Sequence, residues 1–302
     1  MPKKWTGDFS FVGGVAKRKG LTLFILADDQ CAKRKIPFTF YLVWREGKWL
    51  EAGTTDWLCS GISYAEGPLD TLIAPGEFGD VHVRGGGVDK KEKIGDKTSA
   101  PKDRGPLRGV RRIDGATYVV GMDRQVYVRG GNGSWSAFDK GARPDKDSEE
   151  VVGFEAIDGY GSNDLYAVGW EGEIWHQAGK QWKQIDSPVN QVLVDVCCAG
   201  NGKVYACGRE GLLLRGRDAR WEVVTDLGFD DDFWSLAWFK GKLYIASMDD
   251  LYVFDGKRLQ LLDTEDVEME TAYKLTATDG ELWSIGAKDV VVYDGKKWTR
   301  IE

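Results

Sequence analysis

The sequence predicts an all-β chain folded as one seven-bladed β-propeller of four-stranded antiparallel blades. Three observations carry that expectation. An internal repeat recurs every 38 to 47 residues, the chain holds 39 Gly that can serve turns, and six of its 13 Trp fall at one place in the repeat. Four strands in roughly 40–45 residues is the period of a propeller blade.

The repeat is read directly from the chain. Asp164-Leu-Tyr-Ala-Val-Gly169 matches Lys203-Val-Tyr-Ala-Cys-Gly208, Lys242-Leu-Tyr-Ile-Ala-Ser247, Glu281-Leu-Trp-Ser-Ile-Gly286 and Thr117-Tyr-Val-Val-Gly121. Each copy is an apolar run closing on a small residue, then a turn and a second apolar run. A Gly-containing turn follows, and a third run opens on Trp or Leu. Alternating runs separated by such turns read as strands joined by hairpins. A further apolar run precedes four copies, at 151–157, 192–198, 233–239 and 272–277, so each unit has strands A to D. Trp5, Trp49, Lys91, Trp135, Trp182, Trp221, Leu259 and Trp298 anchor strand D, with Lys91 the weak member. Seven intervals between eight anchors give seven blades, at approximately 8–53, 58–97, 107–141, 151–187, 191–226, 233–263 and 271–302. The anchors and the repeated Tyr118, Tyr166, Tyr205 and Tyr244 are read as packing groups between blades. Gly121, Gly169, Gly208 and Gly286 are read as turn glycines.

The first anchor needs its own account. Pro2-Lys-Lys-Trp-Thr6 mirrors Gly295-Lys-Lys-Trp-Thr299, and blade 7 already owns the second copy. The N-terminal copy is expected to add to a blade edge as an extra strand and close the ring, because an open edge is an aggregation hazard.

This grammar resembles propellers of the broad WD-repeat-like class of bacteria, including the YVTN and BNR types. The resemblance covers nearly the whole chain, but its motifs are degenerate. Asp255-Gly-Lys-Arg258 and Asp294-Gly-Lys-Lys-Trp298 lack the Ser and the spacing of the sialidase Asp-box, and no Gly-His…Trp-Asp pair is present. The resemblance implies the fold and carries no catalytic residue over.

Composition bounds the function. The net charge is −7, which argues against a non-specific grip on nucleic acid. Two His, at 82 and 176, restrict His-based catalysis and multi-His metal sites, and both are read as satisfied strand residues. No run approaches the ~20 apolar residues of a membrane span, and no signal-peptide core follows Met1, so a cytoplasmic protein with no membrane partner is expected. Cys31, Cys59, Cys197, Cys198 and Cys207 are odd in number and fit no zinc spacing. They are read as reduced thiols, with neighbours Cys197 and Cys198 on opposite faces of a strand.

Function should lie where the repeat does not dictate the residue. B–C turns and D–A connections share one face of the propeller. The D–A connections, taken as 52–58, 95–108, 139–150, 186–191, 225–233 and 263–271, hold 18 acidic and 7 basic residues. Their net charge is −11, against +4 for the rest of the chain. The acidic clusters are 145–150, Asp230 to Asp232, and 263–270, with apolar groups interleaved. The expected partner-binding residues are Trp170, Phe229, Asp230, Asp231, Asp232, Phe233, Met248, Glu265, Asp266, Glu268, Met269 and Glu270, joined on that face by Met122 and Val267. Carboxylates mixed with aromatic and Met side chains fit a basic protein partner, the apolar groups anchoring and the charge steering. The reading is a non-catalytic, monomeric binding propeller without cofactor or metal, in its sharper form an immunity protein neutralising a cationic toxin such as a nuclease.

Other readings stay open. Acidic loops can simply keep a protein soluble, and Asp230 to Asp232 could hold Ca²⁺. The chain could be a hydrolase or lyase using carboxylates at the channel mouth, with Asp56, Asp114, Asp158, Asp195 and Asp279 as candidates. It could also be a scaffold subunit of an assembly. The blade 1 B–C segment 28–36 is read as a solvated loop, and the loop 95–108 as mobile.

Overall fold

The computed structural model describes residues 4–66, 70–95, 99–145, 150–225, 228–264 and 267–302. Seven four-stranded antiparallel sheets follow one another, each formed from four strands consecutive in sequence. The inner strands line the channel, including Phe9–Arg18, Leu107–Ile113, Phe154–Gly161, Leu193–Cys198 and Lys274–Ala277. Burial rises and falls across a blade. Second strands such as Leu21–Asp28 and Val204–Gly208 are almost continuously apolar because neighbouring blades cover both faces. Outer strands such as Arg220–Val223 are mostly exposed and correspondingly polar.

The core is a ring of clusters between adjacent blades. Blades 3 and 4 share Tyr118, Phe154, Trp175 and Trp182, and the Trp182 Nε1–H donates to the Phe138 carbonyl at 2.7 Å. Cys197 packs into the gap between blades 5 and 6, while Cys198 leans into the gap between 4 and 5, so these neighbours do face opposite ways. All five thiols are free. Each histidine pairs with a nearby carboxylate through Nε2, although His82 Nδ1 is buried with no hydrogen-bond partner among the described residues. His176 stacks on Tyr166 at 4.2 Å and meets Asp164 at 2.9 Å, and His82 meets Asp89 at 2.9 Å.

The strand-B glycines have a different cause from the one expected. Gly121, Gly169, Gly208 and Gly286 do not adopt the left-handed conformation of turn glycines. Instead, the backbone arriving from the preceding blade crosses directly over them. A Cβ at Gly169 would lie 1.9 Å from the Gly153 carbonyl oxygen, and one at Gly286 would lie 2.2 Å from that of Thr271. Only a residue without a side chain admits that crossing.

Ring closure also differs from expectation. Trp5–Gly7 form a 3₁₀ turn, not a strand added to a blade. Trp5 is buried with Phe11, Phe24, Trp283 and Val290 between blades 1 and 7. The Trp5 and Thr6 amides donate to Glu302 Oε1 at 2.5 and 3.1 Å. Thus blade 7 keeps its own outer strand Trp298–Arg300, and the two termini are tied by a side chain. Lys288 adds a cross-brace, donating to Asp29 at 2.7 Å and to the Thr6 and Phe9 carbonyls.

Candidate protein-binding face

Antiparallel order places the B–C turns and D–A connections on one face, and hydrogen bonds weld them together there. Leu107 N–H donates to the Glu77 carbonyl, Trp170 to Gly153, Gly211 to Asp231 and Ala272 to Met248, all within 3.0 Å. The face nevertheless divides into two electrostatic halves.

Over blades 3 and 4 the carboxylates are matched by arginines. Arg104, on the short helix Pro101–Arg104, donates to Asp123 Oδ2 and to Asp139 Oδ2, each at 2.5 Å. Arg143 adds a second donor to Asp139, which is 4% exposed. Arg124 forks onto Glu173, and Arg108 lies 3.5 Å from Glu155. The connection expected to be mobile is therefore pinned from Ser99 onward: Gly79 and Gly105 receive the chain closely and Arg104 clamps it. Trp170 belongs to this half. It is half-buried, and its indole N–H donates to Glu155 at 2.8 Å.

Over blades 5 to 7 the pattern changes. The connections 225–233 and 263–271 contain nine acidic residues and no basic one. Asp230, Glu268 and Glu270 are exposed. Asp231 accepts from the Tyr252 hydroxyl at 2.6 Å, and Asp232 Oδ1 accepts the Glu210 amide at 3.1 Å. Phe229 is half-buried, its ring 4.8 Å from that of Tyr252. Among the described residues, no Lys or Arg forms an ion pair with Asp230, Asp231, Asp249, Asp250, Glu268 or Glu270. The local cations are committed elsewhere. Lys288 is held by Asp29, Arg300 serves the buried Asp289, and Arg209 lies over Trp234 while only approaching Asp232 at 3.8 Å. Asp289 in turn fixes the acidic loop by accepting the Glu270 and Thr271 amides. Burial first, then the charges of Asp231 and Asp249, raises Asp250 above the ordinary aspartate value. Burial with Asp231, Asp250 and Asp230 likewise pushes the Tyr252 hydroxyl well up. Burial is the first cause of both shifts, and the neighbouring carboxylates add to it.

The expected contact residues separate on this geometry. Asp230, Asp231, Asp232, Met248, Glu268 and Glu270 share the blade 5–7 half, with Phe229 and Met269 half-buried beside them. Phe233 is a correction: it is 0% exposed, in the core between blades 5 and 6, because its amide bonds the Gly208 carbonyl and turns the ring inward. Glu265 and Asp266 lie outside the described residues, as do 146–149 of the cluster at 145–150. Met248 is the prominent apolar group of this half, 48% exposed. Sequence reading passed over Asp249, Asp250 and Tyr252. Their signal was legible, since blade 6 places Ser247-Met-Asp-Asp250 where four other blades turn at Gly.

The carboxylates considered for acid–base chemistry do not form one cluster, although Asp158 and Asp195 lie on adjacent inner strands and both act on the charge of Arg111. Asp56, Asp114 and Asp279 are exposed turn residues. Asp158 and Asp195 are joints between blades. Asp158 takes Arg111 at 3.1 Å and the Cys198 amide at 2.8 Å, while Asp195 takes the Ser235 hydroxyl and the Leu236 amide. Ser235 continues the series by accepting the Leu275 amide, and Thr276 by accepting that of Ala16. The channel lined by Asp195 and Ser235 encloses about 450 Å³. Among the described residues, no group of three or more His, Cys, Asp and Glu side chains is placed to hold a metal ion.

No protein-family profile matches the chain. Its fold is that of solved WD-repeat-like propellers. One is described as YCF48 bound to D1 peptide, with TM-score 0.66 and 14% identity, covering 94% of this chain and 91% of that one. Another is the WD40 propeller domain of Doa1, with TM-score 0.67 and 12% identity, covering 97% of this chain and 92% of the other. These likenesses concern the fold. A curated relative from Pseudomonas aeruginosa, immune protein Tsi7, is 42% identical over 306 residues and is matched across 100% of both chains. Identity of that extent shows the family: the chain belongs to that of immune protein Tsi7.

Proposed function

We propose that this propeller is an immunity protein that binds and neutralises a toxin, and that it does so with the blade 5–7 half of its loop face. The full-length relationship to immune protein Tsi7 carries the immunity role. The uncompensated acids carry the finer reading, that the partner is basic. Asp230, Asp249, Asp250 and Glu268 present negative charge that no described side chain neutralises, and Met248 and Phe229 supply apolar contact beside it. Binding a cationic toxin here relieves like-charge repulsion already stored in the face. The carboxylates speed encounter, and the apolar groups hold the complex once formed. A non-catalytic mechanism suffices, since covering a toxin's basic cleft blocks it without chemistry.

The test uses a toxin against which the parent chain protects cells. The variant Asp230→Lys/Asp249→Lys/Glu268→Lys alters three exposed side chains with no described hydrogen bond. It should fold as the parent does and lose protection of cells expressing that toxin. Full protection by the folded variant would refute the acidic contact surface while leaving an immunity role intact.

A further inference from the structure

The opposite face, formed by the A–B and C–D turns, carries charge of the other sign. In blades 6 and 7 it presents Lys240, Lys242, Lys257, Arg258, Lys296 and Lys297, all exposed. Among the described residues, none of the six forms an ion pair with a carboxylate. The acids on these turns are fewer: Asp255, Asp279, Glu281 and Asp294. Three of them are turned onto backbone. Asp255 Oδ1 accepts the Lys257 and Arg258 amides, Asp294 Oδ1 accepts those of Lys296 and Lys297, and Glu281 accepts that of Gly20. In each Asp-Gly-Lys-Lys or Asp-Gly-Lys-Arg turn the carboxylate is engaged by the turn's own amides, and both it and the following cations stay exposed.

The turns form one continuous arc. Lys240 Nζ donates to the Asp294 carbonyl at 2.6 Å, joining blade 6 to blade 7. Lys19 of blade 1 lies against Gly280, and Arg215 of blade 5 reaches the Gly256 carbonyl at 3.2 Å. The arc extends onto exposed Lys203 and Arg220 of blade 5. It lies behind the same blades whose other face is acidic.

We infer that this basic arc is a docking surface for an anionic lipid bilayer. Four observations favour a bilayer over a nucleic acid. The cations sit at the tips of hairpin turns that all end on one face, so a plane meets them together. Five of the six are Lys, point charges suited to diffuse attraction, where nucleic-acid recognition favours the bidentate fork of Arg. No aromatic side chain projects among these six residues as a stacking platform for bases. Of the three arginines lining a hollow of about 500 Å³ beside Trp221, two are tied down, Arg215 to Glu222 and Arg217 to Asp164, which leaves Arg220 exposed. Clustered Lys and Arg near a membrane surface bind anionic headgroups additively and are screened by salt. The sequence expectation of no membrane partner rested on the lack of an apolar span, which peripheral contact does not require. The molecule docked this way points its acidic loops away from the bilayer into solution. The inference stands whether or not those loops bind a toxin.

Sedimentation with vesicles tests it. The full chain should pellet at low salt with phosphatidylcholine vesicles containing about one third phosphatidylglycerol, and stay in solution with pure phosphatidylcholine. Lys257→Gln/Arg258→Gln/Lys296→Gln/Lys297→Gln changes only exposed side chains, and its circular dichroism should match the parent. It should partition roughly a thousandfold more weakly. No pelleting with the anionic vesicles, or equal pelleting of parent and variant, would overturn the inference. So would tight binding of a DNA duplex without vesicle binding.

Discussion

The two halves of the loop face are built from the same elements and carry acids in similar number, yet they differ in what neutralises them. Over blades 3 and 4, Asp123, Asp139 and Glu173 are closed by Arg104, Arg143 and Arg124. Over blades 5 to 7, Asp230, Asp249, Asp250 and Glu268 have no such partner among the described residues. The first arrangement fastens connections to the blades. The second leaves field extending into solvent, where an incoming cation can use it. Acidity alone therefore does not mark a binding surface; in the reading proposed above, acidity without local arginine does.

Four perturbations sharpen that contrast, the largest first. Arg104→Ala should destabilise the fold by about 3–5 kcal/mol, because Asp139 would stay buried with one of its cations removed. Chemical denaturation measures it, and a loss under about 1 kcal/mol would mean the clamp is not structural. Next, Asp230→Lys/Asp249→Lys/Glu268→Lys should leave the denaturation midpoint nearly unchanged. If the toxin is basic as proposed, association at low salt should slow by roughly 10–100-fold in stopped-flow mixing. Third, Met248→Ala should weaken the complex by about 1 kcal/mol, seen mainly as faster dissociation. An unaltered dissociation rate would remove Met248 from the contact.

The smallest effect is in pH. Burial, Asp231 and Asp249 raise Asp250, so the folded chain holds that proton more tightly than the unfolded chain does. Stability at this site falls as pH rises from the ordinary aspartate value through the raised one, and returns as pH falls. Asp250→Asn should therefore raise the melting temperature slightly at neutral pH and make no difference in acid below the aspartate range. A neutral-pH melting temperature unchanged or lowered would show that the crowding is absent.

Much of this was legible in the chain, for physical reasons that can be named. Strand B betrays itself because burial on both faces demands an unbroken apolar run, and the anchors because inter-blade gaps want large rings. Three features were not legible. Gly169 and Gly286 looked like turn residues, whereas their requirement comes from a crossing backbone remote in sequence. The N-terminal copy of Lys-Lys-Trp looked like a strand, but Glu302 holds Trp5 in a 3₁₀ turn. Phe233 looked available beside three Asp, yet one hydrogen bond from its amide turns the ring into the core. At the candidate face, charge counting found the acidic connections. It could not see that Arg104 and Arg124 silence one half, because those pairings join residues about 20 to 50 apart in sequence.

The central claim is that partner binding falls on the uncompensated half of the loop face, and hydrogen exchange on the complex with a toxin the chain neutralises tests it most directly. The account predicts slowed exchange at amides 228–233, 247–250 and 267–271, with 99–106 and 139–145 unchanged. Protection confined to the arginine-clamped segments, or to the turns of the opposite face, would contradict it.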